Sequence, residues 1–136
     1  MKKIIKELTK AEEQVMQILW KLEKAFVKDI VEQFEEPKPA YNTVSTIIRI
    51  LEKKEFVSYK SYGNTYEYFP LISKDEYSKQ YLGNFIKNYF ENSYHQLVSF
   101  FAHDKDVSVK ELEEMKIMVD EIIKKKNYDW AINIPD

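Results

Sequence analysis

A polar and basic stretch near the middle of the chain has the chemistry of a surface that contacts nucleic acid. Short polar side chains can hydrogen-bond to base edges, and a few cations can neutralise phosphates. Side chains of this kind recur on one side of a predicted third helix, opposite its apolar stripe. We assign five residues to base edges, followed by three to phosphates: Asn42, Thr43, Ser45, Thr46 and Arg49, then Lys53, Lys54 and Lys60.

The positive charge of this stretch is local. Between Lys38 and Lys60, five cations stand against two glutamates, a net charge of +3, whereas the whole chain of 136 residues carries −2. That overall balance excludes a strongly basic tail-type nucleic-acid binder and an acidic disordered chain. The same residues would also suit an ordinary solvated helix face, so their interpretation depends on the elements that position them.

The sequence lacks the residue patterns of common active sites and metal centres. It has no Cys, and its two His, His95 and His103, are not accompanied by further ligands at the spacing of a zinc site. It contains no HExxH, GxSxG or P-loop pattern, and only two Gly in total. We therefore expect no enzyme activity, no metal site and no cofactor.

Three helices are predicted to precede and include the candidate surface. A capping box formed by Thr9 and Glu12 begins the first helix. The second helix spans about residues 28–35 and ends before Pro37, which lacks a backbone donor, and the third spans about residues 41–54. The first helix has an apolar stripe made of Ala11, Val15, Ile18, Leu19 and Leu22.

After the third helix the hydrophobic period changes from 3.6 to 2. Two β-rich runs, at about residues 56–61 and 65–69, flank the turn signal Tyr62-Gly63-Asn64 and predict a hairpin. Three helices and a hairpin within about 70 residues follow the order of a winged helix-turn-helix. The sequence therefore predicts a mainly α chain whose residues 1–72 form an N-terminal winged-helix DNA-binding domain with a β-hairpin wing.

The second half is predicted to be helical, with dimerisation helices in residues 73–126 and a tail of unknown role at 127–136. Capping boxes at Ser73, Ser93 and Ser108 mark three helix starts. These helices are too few and too aromatic to close a core alone, so we expect a second copy of the chain to cover them. The predicted interface comprises Leu82, Phe85, Ile86, Tyr89, Leu97, Phe101, Leu112, Met115, Val119 and Ile122.

Three segments resemble the penicillinase-repressor family of winged-helix transcriptional regulators (the BlaI/MecI/CopY type). Leu8–Trp20 resembles the first helix of that family, Asn42–Lys54 its recognition helix and Tyr68–Ile72 its wing exit. The resemblance implies a homodimeric repressor that binds a palindromic double-stranded DNA operator. Because Ser45 replaces a residue that is often basic in the family, we expect a different base preference.

The same resemblance implies that repression is relieved through cleavage by a sensor-linked protease, and disruption of the C-terminal dimer region is the alternative. The family's cleavage position aligns with Phe100–Phe101, where Phe100 replaces an Asn, next to the polar segment His103–Asp106. Two other interpretations remain open: a winged-helix module that binds a protein, and a regulator that binds a small molecule in the aromatic stripe from Tyr77 to Phe101. With no apolar run long enough to span a membrane and no Cys, we expect a cytoplasmic protein without membrane contact.

Overall fold

A computed structural model describes residues 5–132 and confirms a mainly helical chain with a small antiparallel sheet. One compact unit ends at Asn84, and a second begins at Phe85. None of the helices within residues 5–132 combines the length and the apolar character needed to cross a bilayer. In chain order the elements are α1 (Lys10–Leu22), β1 (Ala25–Phe26), α2 (Val27–Gln33), α3 (Tyr41–Lys53), β2 (Val57–Tyr62), β3 (Thr65–Pro70), α4 (Lys74–Tyr89), α5 (Tyr94–Ala102) and α6 (Val109–Ile132).

The predicted capping box begins α1. The Thr9 hydroxyl accepts a hydrogen bond from the backbone N–H of Glu12 at 3.2 Å, and the Glu12 carboxylate accepts one from the Thr9 N–H at 2.9 Å. The buried face differs from the predicted stripe, because Met16 is fully buried and Ala11 is exposed. The face is rotated because Glu12, one residue after Ala11, is itself buried and pairs with the half-buried Lys54 at the C-terminal end of α3.

The N-terminal unit has its core between α1, α2, α3 and the sheet. The side of α3 predicted to be apolar is buried, and Val44, Ile48 and Leu51 have no exposed surface. Each fully buried Ile or Leu contributes about 1.5–3 kcal/mol relative to an exposed one. Because this side of α3 is held in the core, the opposite side faces solvent.

The hairpin is confirmed, with β2 and β3 antiparallel and Tyr59 opposite Tyr68. Gly63 and Asn64 form a two-residue turn, and Gly63 adopts a φ of +63°, which a residue without a Cβ does at little cost. The strand β1, not predicted from the sequence, pairs with β3 and completes a sheet of order β1-β3-β2. Two residues are too few for the alternation of side chains to signal a strand.

In the C-terminal unit, the predicted break near Asn92 is present. Glu91 and Asn92 have positive φ after α4, and the Ser93 hydroxyl then accepts from the Gln96 N–H at 3.1 Å to begin α5. The last helix extends beyond the predicted end of the helical region at residue 126, because α6 continues through the first part of the predicted tail to Ile132. No Gly or Pro interrupts the chain between Ser108 and Pro135, so nothing in the sequence stops the helix at the lysine run. Residues 133–136 of that tail lie outside the described part.

Candidate nucleic-acid interface

Six of the eight predicted DNA-binding residues lie on α3. Ser45 is half-buried, and the other five are exposed. The residue before the helix, Ala40, makes no side-chain capping hydrogen bond, so the N-terminal end of α3 keeps the partial positive charge that favours phosphate. The structure thus presents one polar side of α3 to solvent: Asn42, Thr43, Ser45, Thr46, Arg49 and Lys53.

The Thr46 hydroxyl is already engaged within α3. It donates a hydrogen bond to the backbone carbonyl of Asn42 at 2.9 Å, so its only proton is used. What Thr46 can still offer a base is an acceptor lone pair or its methyl group. By contrast, the exposed Arg49 guanidinium carries five N–H donors in a planar arrangement that matches a guanine edge.

An open cleft of about 610 Å³ separates α3 from the wing. From α3 it receives Asn42, Ser45 and Arg49, three of the predicted base-reading residues. The remaining lining comes from the wing, from β1, from the start of α2 and from the first residue of α3: Asn64, Thr65, Tyr66, Tyr68, Phe26, Val27, Lys28, Asp29 and Tyr41. Lys28 was missed in the sequence because it lies outside the predicted recognition helix, at the start of α2, which packs against α3 and follows directly on β1.

The two faces of the wing differ in chemistry. Cross-strand pairing places Tyr59, Tyr66 and Tyr68 on one face, with ring centroids 4.4 Å apart for Tyr59 and Tyr66. Tyr68 is buried, and burial together with the charge of Glu52 raises the pKa of its hydroxyl. Lys60 belongs to the opposite face, where its ammonium lies 5.3 Å from the centroid of the Tyr62 ring. Lys60 is exposed there and stands opposite Glu67 of β3 in the strand register.

The structure gives Lys54 a different partner from the predicted phosphate. Its ammonium donates to both carboxylate oxygens of Glu12, at 2.7 and 3.0 Å. Burial raises the pKa of Glu12, but the hydrogen bonds from Lys54 and Thr9 outweigh it, and the net effect lowers that pKa. Lys38 is engaged as well, since it donates at 2.8 Å to the carbonyls of Glu32 and Phe34 at the end of α2. Two of the five positively charged residues between Lys38 and Lys60 are therefore engaged with other parts of the fold.

A second cleft lies in the C-terminal unit and is aromatic. It encloses about 720 Å³ between the end of α4 and α5, and Phe90 and Phe100 meet edge to face at its wall, 5.5 Å between centroids. Of the predicted interface residues, Ile86 is fully buried within the chain and cannot contact a second copy. The other nine are exposed or half-buried: Leu82, Phe85, Tyr89, Leu97, Phe101, Leu112, Met115, Val119 and Ile122.

Comparison with known proteins decides the family. Residues 8–121 match the family described as penicillinase repressor. The chain belongs to the penicillinase-repressor family. Members of this family are transcriptional repressors, so the protein is a DNA-binding repressor and not an enzyme.

Individual relatives are distant in sequence but cover most of the repressor. The methicillin resistance regulatory protein MecI of Staphylococcus aureus (strain N315) is 29% identical over 111 residues, which make up 81% of this chain and 90% of MecI. A penicillinase repressor of Staphylococcus aureus is 28% identical over 120 residues, 88% of this chain and 95% of that protein. The solution structure of the DNA binding domain of the repressor BlaI aligns with 56% of this chain and 94% of its own, at 23% identity and a TM-score of 0.48.

The predicted cleavage position of the repressor lies inside a helix. Phe100 and Phe101 belong to the last turn of α5, where Phe100 is exposed and Phe101 is half-buried. The connection to α6 begins only at His103, and His103–Asp106 are all exposed. The peptide bond predicted from the resemblance is therefore in regular helical backbone, two residues before the loop.

Proposed function

We propose that the repressor binds a palindromic operator as a homodimer, with the outer side of α3 in the major groove and the wing beside it. The observation that carries this proposal is the cleft shared by α3 and the wing. Asn42, Ser45 and Arg49 line it from the helix, and Asn64 and Tyr66 line it from the hairpin. With α3 in the major groove, the wing would lie beside the neighbouring phosphate backbone, so that contacts to bases and to phosphates are made together.

The chemistry of the side chains suggests individual roles. Arg49 suits a bidentate contact with guanine, and Asn42 suits adenine. Lys53 and Lys60, both exposed, are assigned to phosphates, and Lys28 is a third candidate at the cleft. Lys54 is not retained in this role, because releasing it would leave the buried carboxylate of Glu12 unpaired.

Dimerisation is proposed through the C-terminal unit. Among the side chains described in α5 and α6 none is buried, and large apolar residues such as Phe100, Ile117 and Ile123 are at least half exposed. Soluble proteins rarely leave patches of this size uncovered, and a homodimer interface of obligate type buries more than about 2,000 Å². Two tethered half-site readers then bind far more tightly than one.

Release of the operator is proposed to follow any cut or repacking that separates the paired C-terminal units. A sensor-linked protease is the agent suggested by the family. Proteases cleave exposed, irregular backbone, which the segment His103–Asp106 offers and the intact helix α5 does not. Cleavage at Phe100–Phe101 therefore requires the last turn of α5 to unwind first. Limited proteolysis with mass spectrometry would show which of the two sites is cut.

The test of operator binding is a titration of the full chain with DNA from its own promoter region at several salt concentrations. If each protomer contacts three or four phosphates, a dimer should show a log–log slope of about −5 to −7, at roughly −0.9 per contact. Affinity that does not change with salt, or no preference over unrelated DNA, would contradict the proposal and favour a protein-binding winged helix.

Arg49→Ala should weaken specific DNA binding by about 1–3 kcal/mol and leave folding unchanged, because Arg49 is exposed and reads a base. Lys79→Ala removes an exposed positive charge from α4 and serves as the matched control. Affinity is measured by fluorescence anisotropy for the operator and for a scrambled duplex. If Arg49→Ala and Lys79→Ala lose the same DNA affinity, Arg49 has no specific role in recognising bases. The same conclusion follows if Arg49→Ala loses the same affinity for the operator and for the scrambled duplex.

A further inference from the structure

A small cavity of about 200 Å³ lies between α1 and the first turns of α4, and none of its residues belongs to the proposed DNA surface. Three aromatic rings, a carboxylate, an amide and a hydroxyl line it. On α1 the lining residues are spaced at i, i+4 and i+7, so they share one side of the helix. The full lining is Glu13, Gln17, Trp20, Tyr77, Ser78 and Tyr81.

The rings follow one another along the cavity and are held in place. The centroids of Trp20 and Tyr77 are 6.0 Å apart, and those of Tyr77 and Tyr81 are 6.1 Å apart. The Trp20 indole N–H donates to the carbonyl of Ile72 at 2.8 Å, and the Tyr77 hydroxyl accepts from the N–H of Leu8 at 3.1 Å. Two of the three rings are thus oriented before any ligand arrives, which lowers the entropic cost of binding.

The electrostatic environment of the cavity is negative. Within residues 5–130, no cation is paired with the half-buried Glu13 carboxylate. Burial is the main cause that raises the pKa of Tyr77; the hydrogen bond from the Leu8 N–H acts in the opposite direction, and the charge of Glu13, which lines the same cavity, acts in the same direction as burial. A site of this sign disfavours anions and gives a neutral guest no electrostatic gain.

We propose that this cavity binds a small organic cation with an alkylated ammonium group. A cation near the faces of Trp and Tyr rings is attracted by their quadrupoles, and Glu13 adds a direct charge interaction. An alkylated ammonium also loses less hydration than a bare one when it leaves water, which suits a cavity lined by three rings together with one carboxylate, one amide and one hydroxyl. The proposal concerns ligand binding alone and does not depend on operator recognition.

The test uses the full chain carrying Trp130→Phe, so that Trp20 is the only indole. Choline chloride is titrated while the emission of Trp20 is recorded, with sodium chloride added to keep ionic strength constant. The control ligand is 3,3-dimethylbutan-1-ol, which has the shape of choline without its charge. We expect a saturable change with choline and at least about tenfold weaker binding of the neutral analogue.

Matched variants separate a ligand site from simple packing of α1 against α4. Tyr81 is 49% exposed, so its replacement is compatible with folding, and circular dichroism would verify this. Tyr81→Leu removes the ring and should weaken choline binding by about three- to tenfold, whereas Tyr81→Phe keeps the ring and should bind like the parent. Glu13→Gln should weaken choline binding to a similar extent while leaving the neutral analogue unchanged.

Three results would each overturn the assignment. One is a choline response that fails to saturate or is absent. Another is equal binding of choline and its neutral analogue. The third is unchanged binding in both Tyr81→Leu and Glu13→Gln. Because the measurement contains no DNA, any of these results leaves the proposed operator binding untouched.

Discussion

The N-terminal unit buries many of its apolar side chains, whereas the C-terminal unit leaves most of its described apolar side chains exposed or half-buried. Among the residues that the structure describes as buried, Ile86 alone lies beyond Asn84. The N-terminal unit closes a core of aliphatic and aromatic side chains within one chain, whereas α5 and α6 bury none of their described side chains. The N-terminal unit therefore completes its core within one chain, whereas the described side chains of α5 and α6 remain accessible, as the proposed dimer requires.

The contrast has a physical cause in how many elements surround each apolar face. In the N-terminal unit, α3 packs against α1 and α2 while the sheet closes the remaining side. Between Phe85 and Ile132 the C-terminal unit contains helices and no strand, and the apolar residues of α6 are distributed along a single long helix. A helix of 24 residues without enough neighbours keeps its apolar stripe in water unless another chain supplies them.

The first prediction tests where the N-terminal unit must end in order to fold by itself. A fragment of residues 1–84 should fold by itself, whereas a fragment of residues 1–72 should be about 3–5 kcal/mol less stable, the loss typical of deleting a buried aromatic side chain. The shorter fragment lacks Tyr77, whose ring lies 5.8 Å from that of Phe56 and whose hydroxyl binds Leu8. Urea denaturation of both fragments measures the difference, and equal midpoints would refute it.

The second prediction compares one isoleucine from each unit. Ile48→Ala should cost about 2–5 kcal/mol of unfolding free energy, because Ile48 has no exposed surface. Ile122→Ala should leave the stability of the N-terminal unit unchanged and weaken self-association, because Ile122 is 45% exposed in the single chain. Thermal unfolding measures the stability of each variant, and sedimentation equilibrium measures its self-association. If the Ile122→Ala variant dimerises like the parent protein, Ile122 is not part of the dimer interface and the proposed interface is contradicted.

The third prediction concerns the Glu12–Lys54 pair and pH. Because the folded-state pKa of Glu12 is lowered, its contribution to stability is present above the unfolded pKa of about 4.3 and is lost as pH falls through the folded value. Glu12→Gln should therefore reduce stability at pH 7 by about 1–3 kcal/mol, and the difference from the parent should shrink in acid. Urea midpoints at pH 7 and pH 3 test this. A difference that stays constant with pH would show that the charge of Glu12 contributes nothing.

Several features of this protein follow from the sequence alone because they depend on neighbouring residues. The capping boxes at Thr9, Ser73 and Ser108 form as expected, since each joins residues three positions apart. The bounds of α3 and the hairpin follow from the change of hydrophobic period and from the turn at Gly63. The polar side of α3 could be predicted in the same way, because a helix with one apolar stripe must expose the other side.

The tertiary structure decided what depends on residues far apart in the chain. Glu12 and Lys54 are 42 positions apart, and their pairing both buries Glu12 and removes Lys54 from the DNA surface. The strand β1 exists only because β3 provides its hydrogen-bonding partners, and the packing of α2 against α3 places Lys28 at the cleft between α3 and the wing. In each case a polar group can bind either water or a residue that is distant in the sequence. Local pattern cannot settle such a competition, because the partner is brought close only when the chain folds.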